Sequence, residues 1–164
     1  MKKIFCTLMI LSLLLVFCAC AGNGDTTTTT SNVNANVDLK AVMTEIEGAV
    51  TLPENMDDIT ATDLLMQYYG IKEQDVKQFA VKINGTGIQC DEIVMVEATD
   101  ADALERIKTS LNNRLEDVKN QMNNYLPDQY QIAAACKVET KGNYVTLFIS
   151  SDATRMAEIF GSKF

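Results

Sequence analysis

The sequence predicts an α+β domain: a four-stranded antiparallel sheet built from two hairpins, with helices packed largely on one face, in the order α-α-β-β-α-β-β-α. Three observations carry this. Apolar residues recur at three- and four-residue steps over 37–50 and 101–124. They alternate, or run without a break, over 76–83, 88–98, 132–138 and 144–150. Two turn signals, Asn84-Gly85-Thr86-Gly87 and Lys141-Gly142-Asn143, each join a pair of those strand-like stretches.

Ahead of the domain stands a leader. Met1-Lys2-Lys3 is followed by an apolar run from Ile4 to Phe17, broken only by Cys6, Thr7 and Ser12. A hydrocarbon core of roughly 30 Å takes about 20 residues to span, so this run suits the core of a signal peptide better than a membrane helix. Phe17-Cys18-Ala19-Cys20 resembles the lipobox of bacterial lipoproteins, in which a small residue precedes the acylated cysteine. Ala19 fits the small position; Phe17 departs from the usual aliphatic residue, and bulky Phe17 makes Cys18 the poorer acceptor. The expectation is a signal peptide over 1–19 and a lipid on Cys20 holding the protein at the extracytoplasmic face of the cell membrane. Two or more acyl chains, each buried methylene adding about 0.8 kcal/mol, anchor without spanning. The alternatives are ordinary cleavage after Ala19 or Ala21, which frees the protein, and retention of the run as an anchor.

Residues 20–36 hold five threonines among Gly, Asn, Asp and Ser, too few hydrophobes to offset ordering entropy, and read as a flexible tether. Maturation at Cys20 removes Lys2 and Lys3, leaving 12 of the 14 cations against 22 acids and moving the balance from −8 to −10. Such a surface disfavours nucleic acid and anionic headgroups as partners, and otherwise serves solubility.

A single domain follows over 37–164. Leu39, Val42, Met43, Ile46 and Val50 line one helical face. Pro53 and the acids around Asp57 read as a connection. Thr60 or Thr62 caps a second helix through Leu64, Leu65, Tyr68 and Tyr69, closed by Gly70. Val76–Ile83 and Ile88–Ala98 form the first hairpin. Ile93-Val94-Met95-Val96 is apolar at both parities, the mark of a central strand covered on both faces or shielded in part by an extra element. Thr99 or Asp100 caps the longest helix, whose Leu104, Ile107, Leu111, Leu115, Val118, Met122 and Tyr125 cross the sheet or, alternatively, seed a coiled coil. Pro127 breaks it. Ile132, Ala134, Cys136 and Val138 alternate as a third strand, Tyr144–Ser150 is the fourth, and Ser151 or Asp152 caps a last helix.

The chemistry is bounded mainly by what is missing. The chain has no histidine, which removes the usual general base, the Ser-His and Cys-His pairs and the commonest zinc and iron ligands. No tryptophan is present. Gly85-Thr86-Gly87 lacks the third glycine of a dinucleotide fingerprint, and Asp100-Ala101-Asp102 fails as a calcium loop because Leu104 and Glu105 fill ligand and glycine places. No cofactor signature remains. Cys90 and Cys136 are a candidate disulfide in an oxidising compartment, with buried free thiols as the alternative. Asp91-Glu92 places two carboxylates at the start of the central strand; as strand neighbours they point to opposite faces, so a structural role is favoured over joint chelation. Tyr68 and Tyr69 end a helix, one ring suited to the core and one to a groove.

The Cys20 signal, Tyr68-Tyr69-Gly70-Ile71, Asp91-Glu92-Ile93, Arg114 in the long helix and Tyr144-Val145 together resemble a family of small Gram-positive lipoproteins classed as a domain of unknown function. The resemblance implies a membrane-anchored domain and supplies no catalytic residues. The family commonly carries a small residue before Asp-Glu, which implies that Cys90 is not a shared disulfide position. The expected function is a non-enzymatic binding or accessory module with a protein partner at the cell surface, Tyr68, Tyr69, Asp91 and Glu92 being the candidate groove residues. Two alternatives stand: a carboxylate-only hydrolase using Asp91, Glu92 and Glu97, and a thiol redox or sensor protein using Cys90 and Cys136.

Overall fold

In a computed structural model of the chain, the described residues are 36–164. The leader, Cys20 and the tether up to residue 35 lie outside them. No described helix is long and apolar enough to cross a membrane.

The domain is α+β, with five strands and not four. The sheet is antiparallel throughout, in the order β1-β2-β3-β5-β4. Helix α1 (Leu39–Ala49) begins where Asp38 accepts the backbone N–H groups of Lys40 and Ala41, at 2.9 and 3.3 Å. Its Leu39, Val42, Met43 and Ile46 are buried. The chain then forms β1 (Met56–Ile59), a strand where the sequence predicts a connection. Four residues with two exposed acids leave no period-two signal. β1 is nonetheless held, because it pairs with the end of β2 (Val76–Asn84) and Asp58 meets Lys82 at 2.9 Å. Acids on a short edge strand also discourage further pairing.

Helix α2 (Thr62–Tyr69) starts at Ala61 without a side-chain cap, so neither Thr60 nor Thr62 serves as expected. It ends at Gly70, whose φ of 67° is the left-handed conformation that glycine adopts without strain. A 3₁₀ turn over Glu73–Asp75 leads into β2. The return strand β3 (Glu92–Ala98) is shorter than the predicted Ile88–Ala98: residues 85–91 form the connection, and Ile88 is 65 % exposed. Every residue of β3 is buried, and it sits between β2 and β5.

Asp100 caps α3 (Ala101–Asn123) by accepting the N–H of Ala103 at 2.7 Å. The predicted strand around Ile132–Val138 is overturned. Residues Pro127–Ala135 are helix α4, and β4 is only Val138–Lys141. Pro127 at the first turn begins a helix as readily as it ends one, and Ala133-Ala134-Ala135 favours helix intrinsically. The apparent alternation came from alanines, of which only Ala133 is buried. β4 turns at Gly142-Asn143 into β5 (Tyr144–Ile149), and α5 (Ala153–Gly161) follows with Asp152 at its start but no side-chain cap.

Helices cover both faces of the sheet, which corrects the one-sided packing expected from sequence. On one face Val81, Ile83, Val94, Val96, Val145, Leu147 and Ile149 pack against Leu65 and Tyr69 of α2, Ile107, Leu111 and Leu115 of α3, and Ala133 of α4. On the other, Ala80, Ile93, Met95, Tyr144 and Phe148 pack against α1 and α5. That division is why β3 is apolar at both parities.

Candidate functional site

Side chains alternate along β3, so Glu92 shares the α3 side with Val94 and Val96. Glu92 is 3 % exposed, and Arg114 reaches it from the middle of α3. Arg114 Nε donates to both carboxylate oxygens, at 3.0 and 3.1 Å, and Nη2 donates to Oε1. Tyr69, at the end of α2, completes the cluster: the Arg114 guanidinium lies 5.7 Å from its ring centroid.

Burial pushes the Glu92 carboxyl above its ordinary value, and the hydrogen bonds and charge of Arg114 pull it back. Burial opposes the charge on Arg114 too, yet Glu92 holds that guanidinium above its ordinary value. Burial, then the Glu92 charge, raises the Tyr69 phenol far above its usual range. Its hydroxyl is buried beside Glu92 but has no well-formed hydrogen bond among the described residues. Tyr69→Phe is therefore expected to leave the urea midpoint unchanged or raised. A loss of more than about 1 kcal/mol would mean that the hydroxyl is bonded after all.

Outward from this pair opens a cleft of about 210 Å³, lined by Tyr68, Asn84, Gln89, Glu92, Arg114 and Gln121 among others. Asn84 is committed: it accepts the N–H of Thr86 at 3.0 Å and donates to Gln89 Oε1 at 2.9 Å. Tyr68 is 41 % exposed. Larger cavities occur, the widest described being about 530 Å³ between α1 and β2. Of the side chains that line it, Glu47 and Asp58 each meet Lys82 at 2.9 Å, and no buried carboxylate lines it.

Of the sequence-derived candidates, Tyr68, Tyr69 and Glu92 are brought to one place. Asp91 is not: it is buried before β3, its carboxyl raised by burial and partly lowered again by Ser150. Glu97 lies at the other end of β3, bonded to Lys77 Nζ and Gln78 Nε2, both at 2.6 Å. That same Gln78 donates to the Val37 carbonyl at 2.7 Å, so Glu97 helps to fix the start of the domain. Cys90 and Cys136 are free, buried thiols and not a disulfide. Each donates into α4, Cys90 to Gln129 O at 3.4 Å and Cys136 to Ile132 O at 3.1 Å.

Residues 49–150 match the model of a family described as Domain of unknown function (DUF4358). The chain belongs to that family. No curated protein and no solved structure matches it. The DUF4358 match spans β1 through β5, so it contains every residue named around the cleft. Nearly all of α1 and the whole of α5, which cover the opposite face, fall outside it. Within the DUF4358 region, sequence reasoning missed Gln89 and Gln121 as site residues and did not assign Arg114 a partner. Arg114 carried a usable signal, being the one cation between Leu111, Leu115 and Val118 on the buried stripe of α3.

Proposed function

We propose that the protein is a non-enzymatic binding or accessory module, held by a lipid on Cys20 at the extracytoplasmic face of a Gram-positive cell membrane. It meets its partner, a macromolecule at the cell surface, through the cleft beside Tyr68. One observation carries the reading. The buried charges of the site are spent on each other, while the Tyr68 ring and the Gln121 amide at its rim make no side-chain hydrogen bond among the described residues. Partners of this kind are read by shape and hydrogen bonding, which such a rim supplies.

The alternatives draw no support from the geometry. A two-carboxylate hydrolase needs both groups in one cleft. Glu92 and Glu97 are five residues apart on a strand, an odd step that sends them to opposite faces, and Asp91 stands with Ser150. A reactive thiol needs thiolate character. Burial and then the Asp91 charge push Cys90 up to about 12, and burial raises Cys136. Neither thiol is expected to take iodoacetamide at neutral pH until urea unfolds the domain. Rapid labelling of the folded protein, followed by mass, would reopen the redox reading.

The anchor has its own test. Intact mass of membrane-extracted protein is expected to equal residues 20–164 plus acyl chains on Cys20. A mature chain without acyl mass, or one retaining its leader, contradicts it.

A further inference from the structure

We infer that the cleft over Glu92 and Arg114 binds a single neutral pyranose ring, laid against Tyr68; this rests on the binding-module reading and names its ligand class. Size comes first. At about 210 Å³ the cleft lies below the roughly 300 Å³ at which drug-sized sites begin, so it admits one ring with its substituents and not an extended chain.

Charge comes second. Among the described residues, the only two charges lining the cleft, Glu92 and Arg114, are bonded to each other. An anion would have to displace a buried carboxylate from its guanidinium and approach a chain of net charge −8. A cation would find its carboxylate already taken.

The hydrogen-bonding inventory comes third. Among the described residues, Gln121 and the Tyr68 hydroxyl make no side-chain hydrogen bond, Gln89 uses only its Oε1, and Arg114 leaves Nη1 unused. These groups include both donors and acceptors, which suits hydroxyls, since each hydroxyl gives one proton and accepts two. A flat apolar face is also present, because the ring of Tyr68 stands at the cleft and is partly exposed. An uncharged ligand with hydroxyls around its edge and C–H groups on its faces meets all three conditions. Its source is either a polysaccharide or a glycan carried on a surface protein, and the chemistry in the cleft is the same for both.

The test is a titration of the purified, ¹⁵N-labelled mature chain with glucose, galactose, mannose and N-acetylglucosamine, with glucuronate and adenosine as controls. At least one neutral sugar is expected to move the side-chain amide signals of Gln89 and Gln121 at millimolar concentration and to leave Gln131 of α4 still. Tyr68→Ala is expected to weaken that binding about tenfold or more, while Tyr68→Phe, which keeps the ring, stays within about threefold. Tyr68 is exposed enough that its loss leaves the fold intact, which the unchanged amide spectrum reports. Co-sedimentation with wall polysaccharide against capture of a glycosylated protein then separates the two sources. Silence with every neutral sugar, a response to glucuronate or adenosine alone, or equal binding by Tyr68→Ala overturns the inference. Silence here together with a discrete surface-protein adduct from a photoreactive phenylalanine placed at position 68 in living cells would sink the sugar and leave the binding module standing; silence in both removes the two together.

Discussion

Replacing Arg114 with alanine is expected to cost the domain about 3 kcal/mol at neutral pH, because it strands the Glu92 carboxylate in a site that is 3 % exposed. The measure is the urea midpoint at constant slope. The sign of the pH dependence follows from burial. The Glu92 carboxyl is already above its ordinary value of 4.5, and without the guanidinium it rises further. A carboxyl whose folded pKa exceeds its unfolded one binds more protons when folded. Its stabilising contribution is whole below the unfolded value and is lost as pH rises through the folded one. The deficit of Arg114→Ala is therefore expected to be smallest near about pH 4 and to grow toward neutrality. Asp75 has the opposite sign: Arg106 holds it below its ordinary 3.8, so its contribution is present above that value and lost as pH falls. That contribution is common to both proteins and cancels in the difference. Arg114→Met combined with Glu92→Gln is expected to recover most of the loss, since no charge is then left unpaired. A deficit independent of pH would show that Arg114 acts through packing alone.

Leu111→Ala is expected to cost about 2–5 kcal/mol, the range for emptying a closed core position. Leu111 is fully buried at the middle of α3, on the face packed against β3 and β5. The cleft depends on that packing, because α3 carries both Arg114 and Gln121. The variant that remains folded should consequently show altered Gln121 amide signals as well as a lower urea midpoint. A loss below about 1 kcal/mol would mean that α3 is not the main covering of this face.

What the sequence disclosed depended on how long and how regular each signal was. The stripe of α3 repeats over about five turns and could be read directly, as could the doubly apolar centre of β3. β1 could not, since four residues containing Asp57 and Asp58 make a strand only when β2 is there to pair with. α4 was misread because alanine fits either period; its true signal was Pro127 at the first turn. Ile93-Val94-Met95-Val96 marks a strand covered on both faces, but four residues do not say that the second cover is the pair of terminal helices α1 and α5. At the site, Tyr69 and Glu92 stood out as residue types, yet their meeting needs the α2–β3–α3 packing, which no local pattern encodes. Gln89 and Gln121 are ordinary surface residues in sequence and gain interest only from the cleft between them.

The most direct measurement is site-specific photo-crosslinking in living cells, with a photoreactive phenylalanine in place of Tyr68 at the cleft or of Arg155 on α5. A discrete adduct on the surface-exposed protein is expected from position 68 and none from position 155. No adduct from position 68, or the same adduct from both positions, would contradict recognition through this cleft.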